Sequence, residues 1–309
     1  MKKTLVIGGS GFIGRYVVNL LCESGREVVV LGRSSKANGM FHPACRYLSG
    51  DYGDRALLTK AITSGCEVID LAYSTIPKTS YDDAVFDLIS NLPSSVGLFQ
   101  EALEAGVARL LIVSSGGTVY GPTNHMPIRE DYPTCPVSPY GITKLATDRY
   151  AMMFHRNNGL PVVITRPANA YGEDQRTGTG QGFIAAAIAA ILAGREIEIY
   201  GEGGTIRDYI HVRDVAAGIV SILENGENGE IYNLGTGIGT SNAEIVKVLE
   251  GLAGSEGLPV STKVLPSRRF DVEANILDSS KLRNLCNWTH TVEVEQGVSS
   301  MWKAFLKNR

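Results

Sequence analysis

The segment SPYGITK, residues 138–144, sets a tyrosine and a lysine four positions apart just after a proline. Ser138 is a good helix N-cap and Pro139 a good first helical residue, so the spacing predicts a helix that starts here. Tyr140 and Lys144 then share one face of it. Of the thirteen tyrosines, Tyr140 alone has a lysine four residues on. A free phenol, with a pKa of about 10, is a poor base at neutral pH. A neighbouring ammonium, joined by a positively charged nicotinamide, would favour the phenolate and lower that value. Such a tyrosine can remove the proton of an alcohol as hydride leaves the same carbon. The bland alternative is a surface pair, and the place of the pair in the fold decides between the two.

That place is set by alternating patterns. TLVI (4–7), EVVVL (27–31), EVIDLA (67–72), RLLIVSS (109–115) and PVVIT (161–165) read as strands, and a first helix runs to about Ser24. Continuous apolar strands separated by helices imply a parallel sheet covered on both faces. The predicted fold is therefore α/β, a doubly wound Rossmann-type sheet. Residues 1–172, with about 208–235, form the dinucleotide-binding unit. A smaller intertwined C-terminal substrate lobe takes about 173–207 and 236–309. The SPYGITK helix follows the RLLIVSS strand, where a doubly wound sheet faces its cofactor.

The first strand ends in IGGSGFIG, where Gly8, Gly11 and Gly14 give GxxGxxG. Glycines between the first strand and first helix let the backbone turn tightly and approach a pyrophosphate at the helix N-terminus. The second strand ends VVVLGRSSK, with Gly32 and Arg33 where an acid usually binds the adenosine ribose. Arg33 suits a 2′-phosphate, which makes the cofactor NADP or leaves a site open to both forms; alternatively it is a solvated loop residue.

Composition excludes other classes. A net charge of −3 offers no basic field for nucleic acid. Five scattered cysteines, without a CxxC pair, read as reduced thiols of a cytoplasmic protein and supply no metal site. The apolar opening MKKTLVIGGSGFIG is broken by glycines and is not expected to be a signal peptide. FIAAAIAAILA (183–193) is too short to span a bilayer and is expected to be a buried or interface helix.

Taken together, GGSGFIG, VSSGGTVYG, SPYGITK, RPANAYG and GTIRDYIHVRDVAAG, in this order from Thr4 to about Trp288, resemble the extended short-chain dehydrogenase/reductases acting on nucleotide sugars. The nearest branch is that of the UDP-hexose 4-epimerases. The resemblance implies that Tyr140 is the acid/base and that Lys144 holds the nicotinamide ribose and tunes the tyrosine. It implies NAD as cofactor, with contacts from Gly8, Gly11, Phe12, Ile13, Gly14, Asp51, Tyr52, Leu71 and Ala72. Asp51 would meet the adenine amine. Asn169 would touch the bound nucleotide sugar, and Arg207 and Arg269 would grip its diphosphate, guanidinium being a natural partner of phosphate. It also implies a homodimer.

One departure bears on the chemistry. Where the family carries a serine or threonine whose hydroxyl bonds the reacting sugar oxygen, this chain has Gly116. Thr118 is expected to substitute, since residues two apart in extended chain project to one side, with Ser115 as the fallback. Family dehydratases carry Thr-Asp-Glu here, and GGT offers no acid for elimination, so reversible hydride transfer at C4 is the expected reaction. Asn275 falls where galactose-type epimerases often have a bulky aromatic; it either leaves room for a 2-acetamido group or caps a turn. The competing readings are an NADP-dependent nucleotide-ketosugar reductase and a non-catalytic nucleotide-sensing module.

Overall fold

The computed structural model describes residues 2–34, 41–175, 182–267 and 272–307. The chain begins β1 (Lys3–Ile7), α1 (Phe12–Glu23), β2 (Glu27–Gly32), β3 (Arg46–Ser49), α2 (Arg55–Ala61), β4 (Glu67–Asp70), α3 (Pro77–Asp82), α4 (Ala84–Ala105), β5 (Arg109–Val113), α5 (Pro139–Asn158) and β6 (Val162–Pro167). It continues through β7 (Asn169–Tyr171), α6 (Phe183–Leu192), β8 (Ile197–Tyr200), β9 (Ile206–His211), α7 (Val212–Asn225) and β10 (Ile231–Leu234). It closes with β11 (Gly239–Ser241), α8 (Asn242–Ser255), β12 (Thr262–Leu265), β13 (Ala274–Asn275), α9 (Ser280–Cys286) and α10 (Val294–Lys307).

Seven strands form one sheet in the order β10-β6-β5-β4-β1-β2-β3. Every neighbouring pair in it is parallel. The apolar runs work because successive side chains leave a strand on opposite faces. Leu5 and Ile7 of β1 join Val29, Leu31, Val68, Leu110, Ile112 and Ile164 in a core that also takes Leu98, Phe99 and Ala151 from α4 and α5. Val6, Val28, Val30, Ile69, Leu111 and Val163 point the other way and meet Val17, Leu21 and Ile219 of α1 and α7. Each fully buried aliphatic side chain contributes roughly 1.5–3 kcal/mol by leaving water. The chain crosses from one face to the other around β1, between β4 and β2, which opens a crevice at the strands' C-terminal ends.

A smaller sheet lies beyond that crevice. β9 is its central strand, antiparallel to β11 and parallel to β13 and β7. β9 spans Ile206–His211, and α7 follows it directly. The expected apolar helix is α6, whose Ile184, Ile188 and Ile191 pack with Leu249 of α8 and Trp302 of α10 in a third core. Among the described residues no helix is long and apolar enough to cross a membrane.

Asp208, fully buried on β9, joins this sheet to the segments around it. Its carboxylate accepts hydrogen bonds from the Thr236 N–H (2.9 Å) and hydroxyl (2.7 Å), the Gly237 N–H (3.1 Å) and the Leu277 N–H (3.2 Å). The four donors offset part of the cost of taking the charge out of water, and burial still holds the carboxyl above its ordinary range.

Candidate active site

The β1–α1 turn has the shape of an anion cradle. Gly8 has a left-handed backbone (φ 76°), and a Cβ on it would sit 2.8 Å from the Ala72 nitrogen. A Cβ on Gly14 would strike the backbone of Gly8 and Gly9. The turn therefore lies directly against Leu71 and Ala72, just past β4, where the Leu71 N–H bonds Ile7 O at 3.0 Å. Gly11 caps α1 without a side-chain bond, and the first turn containing Phe12, Ile13 and Gly14 holds no acidic residue. An uncapped helix N-terminus with no carboxylate of its own fits the pyrophosphate of a dinucleotide. Asp51 follows β3 beside the end of β2; its Oδ1 accepts the Gly53 N–H at 2.8 Å. Arg33 is exposed just past β2. The side chain of Tyr52 belongs to the apolar core and is buried.

Tyr140 and Lys144 lie in the first turns of α5. Ser138 caps the helix by accepting the Gly141 N–H at 3.1 Å, as its type predicts. The Tyr140 N–H donates to the buried hydroxyl of Ser80 on α3, at 3.2 Å. Lys144 is buried and donates to Val113 O, at the end of β5, at 2.9 Å. Burial pulls its pKa down to about 8, while Asp70, Asp148 and Asp87 oppose the fall. Asp70, at the end of β4, is pushed up to about 6 by burial. The lowering expected of Tyr140 depends on a positively charged nicotinamide beside it, and the protein's own groups act in the other direction. Burial and then the negative charge of Asp87 push it above the ordinary phenol value. Lys144 Nζ is 5.9 Å from the Tyr140 ring centroid and 4.0 Å from that of Tyr73.

The loop after β5 gathers the other predicted residues. Residues 116–118 form a turn, not extended chain, with the Val119 N–H bonded to Ser115 O at 3.3 Å. The alternation argument for Thr118 therefore fails, and packing brings Thr118 to the pair instead. A Cβ on Gly141 would sit 2.8 Å from Thr118 O, so the glycine of SPYGITK lets the loop dock on α5 beside Tyr140. Gly117 faces the Asn169 amide, and the Gly116 carbonyl accepts from Asn275 Nδ2 at 3.2 Å. The loop is held from below by Tyr120, whose hydroxyl donates to Asn233 Oδ1 (2.7 Å) and accepts from Arg166 Nη1 (3.1 Å). Arg166 in turn forms a buried ion pair with Asp148 of α5, 3.0 Å.

The residues expected on the substrate side share the smaller sheet. Asn275 stands opposite Arg207 in the β13–β9 register, and Asn169 opposite Tyr209 in β7–β9. Asn275 lies on a strand and does not cap a turn. Arg207 Nη1 donates to Ile206 O (2.9 Å) and Glu273 O (3.4 Å). Arg269 falls outside the described residues. Three polar atoms on these segments are buried without a hydrogen-bond partner among the described residues: Thr118 Oγ1, Asn169 Nδ2 and Asn275 Oδ1. Buried polar groups are normally paired, so such atoms mark places built for polar groups from outside the chain. Gly116 explains the missing hydroxyl, because a Cβ there would collide with Leu277 Cδ1 and sit 2.8 Å from Arg166 O.

Two residues of this site carry no sequence signal. Tyr73 lies past β4 with its ring edge-on to Tyr140 at 4.8 Å between centroids, and Asp87 of α4 is fully buried nearby.

A parallel sheet with a glycine cradle at its crossover, and a tyrosine and lysine on the helix after the fifth strand, define a dinucleotide-dependent enzyme of the short-chain dehydrogenase/reductase type. The chain belongs to the NAD dependent epimerase/dehydratase family, which it matches over residues 4–235. It is 33% identical to a UDP-glucose 4-epimerase of Mycolicibacterium smegmatis over 99% of both chains. The solved UDP-glucose 4-epimerase of Thermotoga maritima, with UDP-glucose, superposes with a TM-score of 0.90 at 31% identity, over 99% of both chains. A dTDP-glucose 4,6-dehydratase of Streptomyces venezuelae with NAD bound gives 0.90 at 28%, over 99% of this chain and 98% of that one.

Proposed function

We propose that the protein is a 4-epimerase of a UDP-sugar. The observation that carries this reading is the 116–118 turn, whose three successive residues meet Asn275, Asn169 and the helix of Tyr140 while presenting a threonine and no acid. Elimination of water, the reaction of the dehydratases, would call for a carboxyl group at this turn. Bound NAD would supply a reversible hydride acceptor, held at the Gly8–Gly14 cradle with Leu71, Ala72 and Asp51 along its length.

In this reading Tyr140 moves the proton of the sugar 4-hydroxyl. Its raised pKa keeps the phenol protonated at rest, so it is poised to return a proton to a ketone oxygen. Removing one requires Lys144 as an ammonium beside the phenolate, and activity falls as pH rises through the value of about 8 at which Lys144 is lost as a cation. Thr118 Oγ1 bonds the reacting oxygen, Asn169 holds the nucleotide sugar, and Arg207 grips the diphosphate while the sugar turns over. Asn275, with its buried and unpaired Oδ1, favours a sugar that brings an N–H donor, a 2-acetamido hexose. Arg33 is the one observation that favours a second reading, an NADP-dependent ketosugar reductase. The exposed apolar side chains Val85, Phe86 and Ile89 of α4 and Ile142 and Met153 of α5 support a homodimer through that face. Free cysteines throughout support a cytoplasmic enzyme.

The test is incubation with UDP-GlcNAc and with UDP-Glc, following the C4 isomers by NMR and A340 in parallel. Isomer formation without net absorbance change is expected. Steady consumption of NADPH with a ketosugar would replace the epimerase with the reductase. A tenfold higher kcat/KM for the plain hexose would end the acetamido assignment.

A further inference from the structure

Lys144 has two aromatic neighbours, and the nearer is the one not predicted from the sequence. The ammonium sits over the face of Tyr73, 4.0 Å from the ring centroid. A cation over a ring face is attracted to the π cloud, and more strongly when both are shielded from water. The same ring meets Tyr140 edge-on, 4.8 Å between centroids at 68°. Tyr73 thus touches both members of the SPYGITK pair at once.

The chain around Tyr73 fixes that ring in place. The Ser74 N–H donates to Asn91 Oδ1 of α4 at 2.8 Å, and the Thr75 hydroxyl donates to Asp87 of the same helix. Further on, Ser80 accepts the Tyr140 N–H. Residues 74–80 are therefore strapped between α4 and the start of α5. Charged and titratable groups bear on Lys144 from each neighbouring element: Asp70 from β4, Asp87 from α4, Asp148 from its own helix, and the phenols of Tyr73 and Tyr140. Burial and Asp87 raise the Tyr73 phenol well above its ordinary range, so its ring stays neutral and offers a face rather than a second base.

We propose that Tyr73 is a positioning residue for Tyr140 and Lys144, acting through its ring face on the ammonium and its ring edge on the phenol, with no role for its hydroxyl. This rests on the epimerase reading, in which that pair moves the proton.

The experiment compares Tyr73→Phe, Tyr73→Leu and Tyr140→Phe in the full-length protein, measuring kcat, KM and melting temperature from pH 6.5 to 9.5 with the preferred UDP-sugar. Tyr73→Phe keeps the ring and is expected to stay within about threefold of the parent in kcat. Tyr73→Leu removes the π face; its kcat is expected to fall about tenfold with KM for the nucleotide sugar unchanged. Its high-pH limb should move down by up to about one pH unit as the ammonium loses its partner. If the leucine variant melts early, Tyr73→Met fills the same space without a ring and takes its place. Equal kcat and equal pH limbs for the phenylalanine and leucine (or methionine) variants would overturn the role of Tyr73. Undiminished activity of Tyr140→Phe would instead overturn the reading beneath it.

Discussion

Thr118→Val is the substitution that most directly tests the site. It exchanges a hydroxyl for a methyl of nearly the same volume, so it opens no cavity. In the structure Thr118 Oγ1 is buried and has no hydrogen-bond partner among the described residues. An unsatisfied buried hydroxyl costs about 1–3 kcal/mol, and replacing it with an apolar group of the same shape removes that cost. The valine variant is therefore expected to be more stable, with a melting temperature raised by about 2–4 °C for each kcal/mol recovered. Its activity should move the opposite way. A hydrogen bond to an oxygen on which charge develops is worth about 10²–10³ in kcat, so the valine enzyme should retain roughly a hundredth of the parent rate. Thr118→Ser restores the hydroxyl and should recover most of it. Melting followed by circular dichroism, alongside the isomer assay, reads both effects on one preparation. Full kcat in Thr118→Val, or loss of activity in Ser115→Ala with Thr118→Val unaffected, would show that another hydroxyl serves the reacting oxygen.

Other outcomes follow from the same packing. Gly116→Ser, which restores the family hydroxyl, meets Leu277 and Arg166 O; it should cost about 1–3 kcal/mol of stability, read as a shifted urea midpoint, and should not raise kcat. Asp148→Ala strands the buried Arg166 guanidinium and should cost about 3–5 kcal/mol in the same measurement. Because the folded pKa of Lys144 lies near 8 and the unfolded one near 10.5, the unfolded chain binds more protons between those values. This group's contribution to stability is therefore lowest below pH 8 and grows as pH rises toward 10.5; Lys144→Met should lose that growth in urea midpoints taken at pH 7.5, 9 and 10. Under the proposed homodimer through the α4–α5 face, Phe86→Glu with Ile89→Glu should give a monomer where the parent runs as a dimer in light scattering after size exclusion.

The large sheet was legible because its strands are short runs of Val, Ile and Leu, which need no partner information to be read as strands covered on both sides. Ser138, Pro139, Tyr140 and Lys144 were legible for a similar reason, since capping and spacing along one helix are local. The turn at 116–118 was not, because its shape comes from docking on Gly141 and from Tyr120 below it. Nor was Tyr73. Its partner stands 71 positions later, and nothing in LAYST marks that ring as lying under an ammonium. The upward push on Tyr140 was not legible for the same cause: burial and then Asp87 of α4 produce it, and both are set by packing.

The four hydrogen bonds on Asp208 tie the strand bearing Arg207 to the segments at Thr236–Gly237 and Leu277. Leu277 also blocks the space above Gly116. A clamshell motion that parted these pieces would have to break a buried carboxylate out of all its donors together. In the proposed epimerase, the sugar would then have to turn over without these pieces parting.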